Sequence, residues 1–243
     1  MLQVLAGFDP QDPCSAFVPV PDMVARFDGR LDNVRIGVPR AYFLEAPDLN
    51  PEVQQAVQAA LDRMAAAGAT VVDVALPHAA LGRNAQNAIM FGECYAYHET
   101  DLQTRPELYG KWTRQQLRKG VLYTAADFVQ AQRVRSLIKR EVAQALANVD
   151  VLAMPTSLVL PPQFDAYDPD SGFDASNFMA IWNLTGNPAM SICCGFSEST
   201  LPIGLQIVGQ PFDEPTVFKV ADAYQRITDW HTRTPNLTLE VAA

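Results

Sequence analysis

Val34-Arg35-Ile36-Gly37-Val38-Pro39 is a short apolar run closed by a proline, and it opens the segment whose reading decides the fold. Downstream, Asn50-Pro51-Glu52 supplies a helix N-cap, a proline at the first helical position and an early acid suited to the positive end of the helix. Val53, Ala56, Val57, Ala60, Leu61 and Met64 then recur at helical spacing, and Gly68 closes the helix. Thr70-Val71-Val72-Asp73-Val74 follows as a second strand. Strand, helix and strand in this order form a crossover unit whose two strands run parallel, so an α/β protein is expected.

Upstream of this unit, Met1-Leu2-Gln3-Val4-Leu5-Ala6 followed by Gly7 reads as the last turn of a helix, which Asp9-Pro10 prevents from continuing. A helix with almost no beginning reads either as the end of a longer helix with a further segment before it or as a short frayed N-terminal turn. Downstream, helices are expected over residues 83–101, over 107–119 with Gly120 as the stop, and from Thr124-Ala125-Ala126-Asp127 onward, where the Thr124 hydroxyl can accept from an early amide. Phe128, Ala131, Val134, Ile138, Val142 and Ala145 form the inward stripe of that last helix, with Arg133, Lys139 and Arg140 toward water.

Val149-Asp150-Val151-Leu152-Ala153-Met154 is a buried-strand pattern ended by Pro155. Residues 156–173 carry Pro161-Pro162, Asp165, Asp168, Pro169 and Gly172 and read as a loop. Residues 189–194 and 203–208 are two more strands around a polar turn at Glu198-Ser199 and should pair antiparallel; an amphipathic helix over 214–229 follows. With no internal repeat or linker, residues 1–243 are expected to form a single α/β domain, a layered mixed sheet flanked by helices.

Composition narrows the function classes. The chain has 243 residues, 49% of them hydrophobic, enough to bury a core. Its 18 Lys+Arg against 27 Asp+Glu give a formal charge of -9, which opposes attraction to nucleic acid or anionic membranes. No apolar segment approaches the roughly 20 residues of a membrane span, and no export signal is read at the amino terminus. Cys14, Cys94, Cys193 and Cys194 lack paired zinc or redox spacing and read as reduced, mostly buried thiols of a cytoplasmic protein. Cys94 and His98 lie one helical turn apart, a Cys/His pair that is short of a third metal ligand. Cys193 and Cys194 should point to opposite faces of their strand. Asp165, Asp168, Asp170 and Asp174 lack the spacing of a helix-loop-helix calcium site. No metal or cofactor is expected.

Four blocks in order carry a family resemblance. They are Ala6-Gly7-Phe8-Asp9-Pro10-Gln11-Asp12-Pro13, the Val34 to Pro39 strand, Val149-Asp150-Val151-Leu152-Ala153-Met154-Pro155-Thr156, and a carboxyl-terminal set. The last comprises Asn183-Leu184-Thr185-Gly186-Asn187-Pro188-Ala189-Met190-Ser191, Leu201-Pro202-Ile203-Gly204-Leu205-Gln206-Ile207-Val208-Gly209 and Thr228-Asp229-Trp230-His231. Together they resemble the carboxyl-terminal half of an amidase-signature enzyme, and are similar also to the A subunit of aspartyl/glutamyl-tRNA amidotransferase.

The resemblance implies hydrolysis of a carboxamide, or transfer of its ammonia, through an acyl-enzyme on serine. It also implies a Lys, a bridging Ser and a nucleophilic Ser drawn from a Gly- and Ser-rich stretch of the amino half. A serine hydroxyl needs a base to become a nucleophile, and the oxyanion needs preorganised donors. Here there is no Ser-Ser or Gly-Gly dipeptide, and the lysines are Lys111, Lys119, Lys139 and Lys219, all on helix surfaces or ends, so no catalytic residue is carried over. The carboxyl half implies a substrate-pocket wall at Trp182, Asn183, Thr185, Gly186 and Asn187, with the loop after Thr156 at its rim. A glutamine-using enzyme implies an Arg and an Asp for the α-carboxylate and α-amine; near those places stand Gln115-Gln116 and Asn177, with Arg114 one residue away, which favours a plain amidase. The expected partners are a small amide substrate in the intact enzyme and either an amino-terminal half or a second copy. The competing readings are a noncatalytic binding or assembly module derived from an amidase, a portion of the tRNA-dependent amidotransferase, and a Cys94/His98 enzyme.

Overall fold

The computed structural model describes residues 1–163 and 178–235. Asp165, Asp168, Asp170, Asp174 and Asn177 lie outside them, as does most of the loop that holds them. The first turn is a four-residue helix, α1 (Leu2–Leu5), which ends on an extended Ala6 and buries no residue.

The strand-helix-strand unit is present. β1 (Arg35–Val38) leads through a single turn, α2 (Arg40–Phe43), to α3 (Pro51–Ala66) and then β2 (Thr70–Asp73), and β1 and β2 pair in parallel with Ile36 opposite Val71. α3 starts where it does because the Asn50 side chain accepts from the Glu52 amide at 2.8 Å and Pro51 needs no partner for a missing N–H. Its inward stripe is Val53, Val57, Ala60, Leu61 and Met64, and the larger of these side chains each contribute about 1.5–3 kcal/mol of burial.

The helical middle comprises α4 (Ala79–Thr104), α5 (Lys111–Arg118) and α6 (Ala125–Leu146). α4 is longer at both ends than residues 83–101, because Ala79, Gly82 and Leu102 pack inward without making an amphipathic pattern. The helix expected over 107–119 is divided: Pro106–Leu108 form a 3-10 turn and α5 begins after Gly110. α6 opens with the Thr124 and Asp127 side chains each bonded to the other's backbone amide, at 3.2 and 2.8 Å.

β3 (Val151–Pro155) is buried along its whole length, and α7 (Ala180–Thr185) leads into β4 (Ala189–Phe196) and β5 (Pro202–Val208). α8 (Glu214–Arg226) stops three residues short of the expected end, and Trp230–Thr232 form a separate 3-10 turn. The sheet has strand order β2-β1-β3-β5-β4; β2, β1 and β3 run parallel, and β5 is antiparallel to both its neighbours. The mixed sheet follows from the connections: long helical crossovers permit parallel strands, and the short turn at Ser197–Thr200 forces an antiparallel pair. α3 packs on β3, β4 and β5, α8 on β4 and β5, and α4 joins α6 and α7. Because side chains alternate along a strand, Met154, Ser191 and Gln206 share the face that meets α7, while Ile192, Cys194, Leu205 and Ile207 take the other.

Candidate functional site

α7 is six residues long and buries Ala180, Ile181, Trp182, Leu184 and Thr185, leaving Asn183 exposed. Trp182 is 2% exposed, stacks on Phe43 with ring centroids 5.9 Å apart, and donates its indole N–H to Gln206 Oε1 at 2.6 Å. Thr185 donates its hydroxyl to the Ile181 carbonyl at 3.0 Å. Gly186 caps the helix at φ 77, ψ 27, a left-handed conformation that glycine adopts without a Cβ penalty. Asn187 donates to the Gly209 carbonyl at 2.9 Å and ties the turn to the end of β5. Of the five residues expected on a pocket wall, Asn183 thus lines a cavity directly. Trp182 and Thr185 stand behind it in the core, and Gly186 and Asn187 shape the turn from helix to strand.

The cavity that Asn183 lines, about 450 Å³, lies among α4, α5 and α7. Arg83, Gln86, Asn87 and Gln116 supply polar groups there, and Met90, Phe91, Trp112, Leu117 and Met179 supply apolar surface. Residues 83, 86, 87, 90 and 94 recur at helical spacing on one face of α4, a stripe legible in the sequence yet easily missed because it mixes polar with apolar types. From α5 the lining takes the neutral Gln116, whereas Arg114 donates to the Pro106 carbonyl at 3.2 Å. The α6 side chain Arg135 donates to the Leu184 carbonyl at 2.8 Å and so holds α7 in place. Burial raises the Tyr42 phenol above its ordinary range, with the Arg83 guanidinium acting in the opposite direction.

A second cavity, about 470 Å³, opens where β3 ends and β5 begins beside β4. Thr156 and Ser191 join hydroxyls at 2.7 Å on its floor, with Cys193 nearby and Val159, Leu160, Pro161 and Pro162 along the rim. Gly204 permits this approach, since a Cβ there would stand 2.7 Å from Ser191 Oγ and 2.8 Å from Thr156 Oγ1.

Cys94 borders the α4–α5 cavity, while His98 is bonded through Nδ1 to the Tyr109 hydroxyl at 3.0 Å. The expectation of mostly buried thiols is corrected: Cys14 is exposed, Cys94 and Cys193 are half-buried, and Cys194 is buried. Burial pushes the Cys194 thiol up to about 12. No group of three or more His, Cys, Asp or Glu suited to a metal occurs among the described residues. Lys219 pairs with Asp28 at 3.0 Å, Lys119 lies over the Phe91 ring, and Lys139 is exposed on α6. The α4–α5–α7 cavity presents amide and guanidinium groups that can donate to and accept from a carboxamide.

A family model described as Amidase matches residues 1–218, and the chain belongs to that family. Two relatives are an amidase of Pseudomonas putida, 40% identical over 98% of this chain, and the A subunit of the glutamyl-tRNA(Gln) amidotransferase of Chloroflexus aggregans, 38% identical over 98% of it. The chain spans about half the length of each, 52% and 53%. Among solved structures, the Thermotoga maritima counterpart of that amidotransferase chain aligns over 90% of this chain and 48% of its own, with TM-score 0.68 and 25% identity. A bacterial aryl acylamidase, 19% identical, shares the fold with TM-score 0.75 over 93% of this chain and 50% of its own. No helix among the described residues is long and apolar enough to cross a membrane.

Proposed function

We propose that this chain is the carboxyl-terminal portion of an amidase-type hydrolase and that residues 1–243 fold as one domain of it. In this reading it supplies the sheet and one wall of a site for a small carboxamide, and it does not turn amides over alone. The observation that carries the reading is the α4–α5–α7 cavity. The Asn183, Gln86, Asn87 and Gln116 amides and the Arg83 guanidinium can bond a carboxamide, and Phe91 and Trp112 can cover its apolar part. The partner is then the remaining portion of the amidase fold, in a cytoplasmic protein, and the small amide is the substrate of the complete enzyme.

The test has two arms. The homogeneous chain should release no ammonia from benzamide or acetamide, yet benzamide should raise its melting temperature, and Asn183→Ala and Gln116→Ala should each weaken that binding several-fold, about 1 kcal/mol per lost hydrogen bond. Trapping of a covalent acyl-serine on the chain alone would sink the reading. The likeness to the amidotransferase chain supports a second reading, a portion of that enzyme. Preference for free glutamine over benzamide in the same binding assay decides for it.

A further inference from the structure

The charge around the α4–α5–α7 cavity runs against that of the chain. Although the formal charge is -9 overall, residues 108–126 contain no Asp or Glu, and α5 within them carries Lys111, Arg114 and Arg118. α7 has no acidic residue either, and the acids of α4, which are Glu93, Glu99 and Asp101, do not line the cavity. Among the described residues Arg83 is thus the only charged side chain on the cavity wall. It is half-buried, and among the described residues its guanidinium makes neither a hydrogen bond nor an ion pair, although its charge reaches the Tyr42 phenol. Neighbouring arginines are engaged elsewhere, Arg114 with the Pro106 carbonyl and Arg135 with the Leu184 carbonyl. A guanidinium partly withdrawn from water without a counterion loses solvation that a bound anion restores. Its planar fork matches a carboxylate through two parallel hydrogen bonds.

We infer that this cavity takes an amide that also bears a carboxylate and carries no ammonium, with Arg83 holding the carboxylate. The inference rests on the reading of the cavity as an amide site and names the class of amide. Asn87, Gln116 and Asn183 offer donors and acceptors to the carboxamide, while Phe91 and Trp112 cover the carbon frame, and about 450 Å³ leaves room for a ring bearing both groups. An ammonium such as that of glutamine would meet the Arg83 charge with no carboxylate on the wall to take it, so the zwitterion is disfavoured against its deaminated counterpart. Arg83 also comes from α4, not from the Gln115-Gln116 position on α5 near which a glutamine-using enzyme would carry its arginine.

The experiment measures binding to the homogeneous chain by calorimetry near neutral pH. One series is terephthalamate, its neutral methyl ester, benzamide and benzoate; the other sets glutaramate against glutamine. Terephthalamate should bind about tenfold or more tighter than the ester, and glutaramate tighter than glutamine by a similar factor. Arg83→Gln should remove the preference for acid over ester, and Arg83→Lys should keep part of it, since the charge remains and the fork is lost. Lys139→Gln, the same charge change on the exposed side of α6, should leave the preference whole. The acid–ester comparison in the wild-type chain decides even where an Arg83 variant fails to fold. Equal binding of acid and ester overturns the inference, as does a preference that survives in folded Arg83→Gln, or glutamine held as tightly as glutaramate. Those results leave the underlying reading standing as long as benzamide binds and Asn183→Ala weakens it. Benzoate bound as tightly as terephthalamate marks an acid site indifferent to the amide, and refutes the reading and the inference together.

Discussion

Gln206 is 3% exposed, and its side-chain carbonyl receives the Trp182 indole N–H. Trp182→Phe keeps much of the stacking on Phe43 but leaves that buried acceptor without its donor, which costs about 1–3 kcal/mol. Urea denaturation should show the loss as a lower midpoint with an unchanged slope. Cys194 gives a second prediction. Burial holds its thiol neutral, moving it from 9.0 up to about 12, and burial likewise pushes the nearby Tyr224 phenol from 10.0 up to about 12. Both folded values are raised, so their stabilisation is complete below the unfolded values and is lost as pH rises toward about 12, from 9.0 for Cys194 and from 10.0 for Tyr224. Cys194→Ala should lessen the fall of stability with pH there by up to about 1.4 kcal/mol per pH unit, measured by denaturant titration at each pH. α7 is apolar on nearly every side, so its own pattern does not say which side chain stays outside, and only packing on Phe43 and the sheet singles out Asn183.

At the scale of elements, the sequence is most legible where local chemistry is strong. The Asn50-Pro51-Glu52 start of α3 and the Thr124–Asp127 start of α6 are satisfied within four residues of chain, so tertiary contacts had little to override. Thr124→Ala should therefore cost about 1 kcal/mol, and a Ser replacement should recover most of it. The check is thermal unfolding, with hydrogen exchange locating the loss in the first turn of α6. The extent of α4 was harder to read because Ala79 and Gly82 pack through small size rather than an apolar stripe. The α4–α5 cavity was harder still: Arg83 and Gln116 are 33 positions apart, and nothing local brings them together.

For the whole molecule, the motif blocks announced the family and the alternation of elements announced the mixed sheet, while the path of the sheet margin emerged from three-dimensional pairing. The formal charge of -9 also acts at this scale. Labelled duplex DNA should show no saturable anisotropy change with the protein at about 0.15 M salt, where screening over about 8 Å leaves only local contacts to act. The position of β3 matters for biosynthesis. It lies between β1, whose Ile36 it meets through Val151, and β5, whose Val208 it meets through Leu152. A ribosome adding about 5–20 residues per second must make on the order of a hundred residues after the first strand before its neighbour arrives. The β1–β2 pair therefore waits in the nascent state for several seconds with the other side of β1 unpaired, until β3 emerges to cover it.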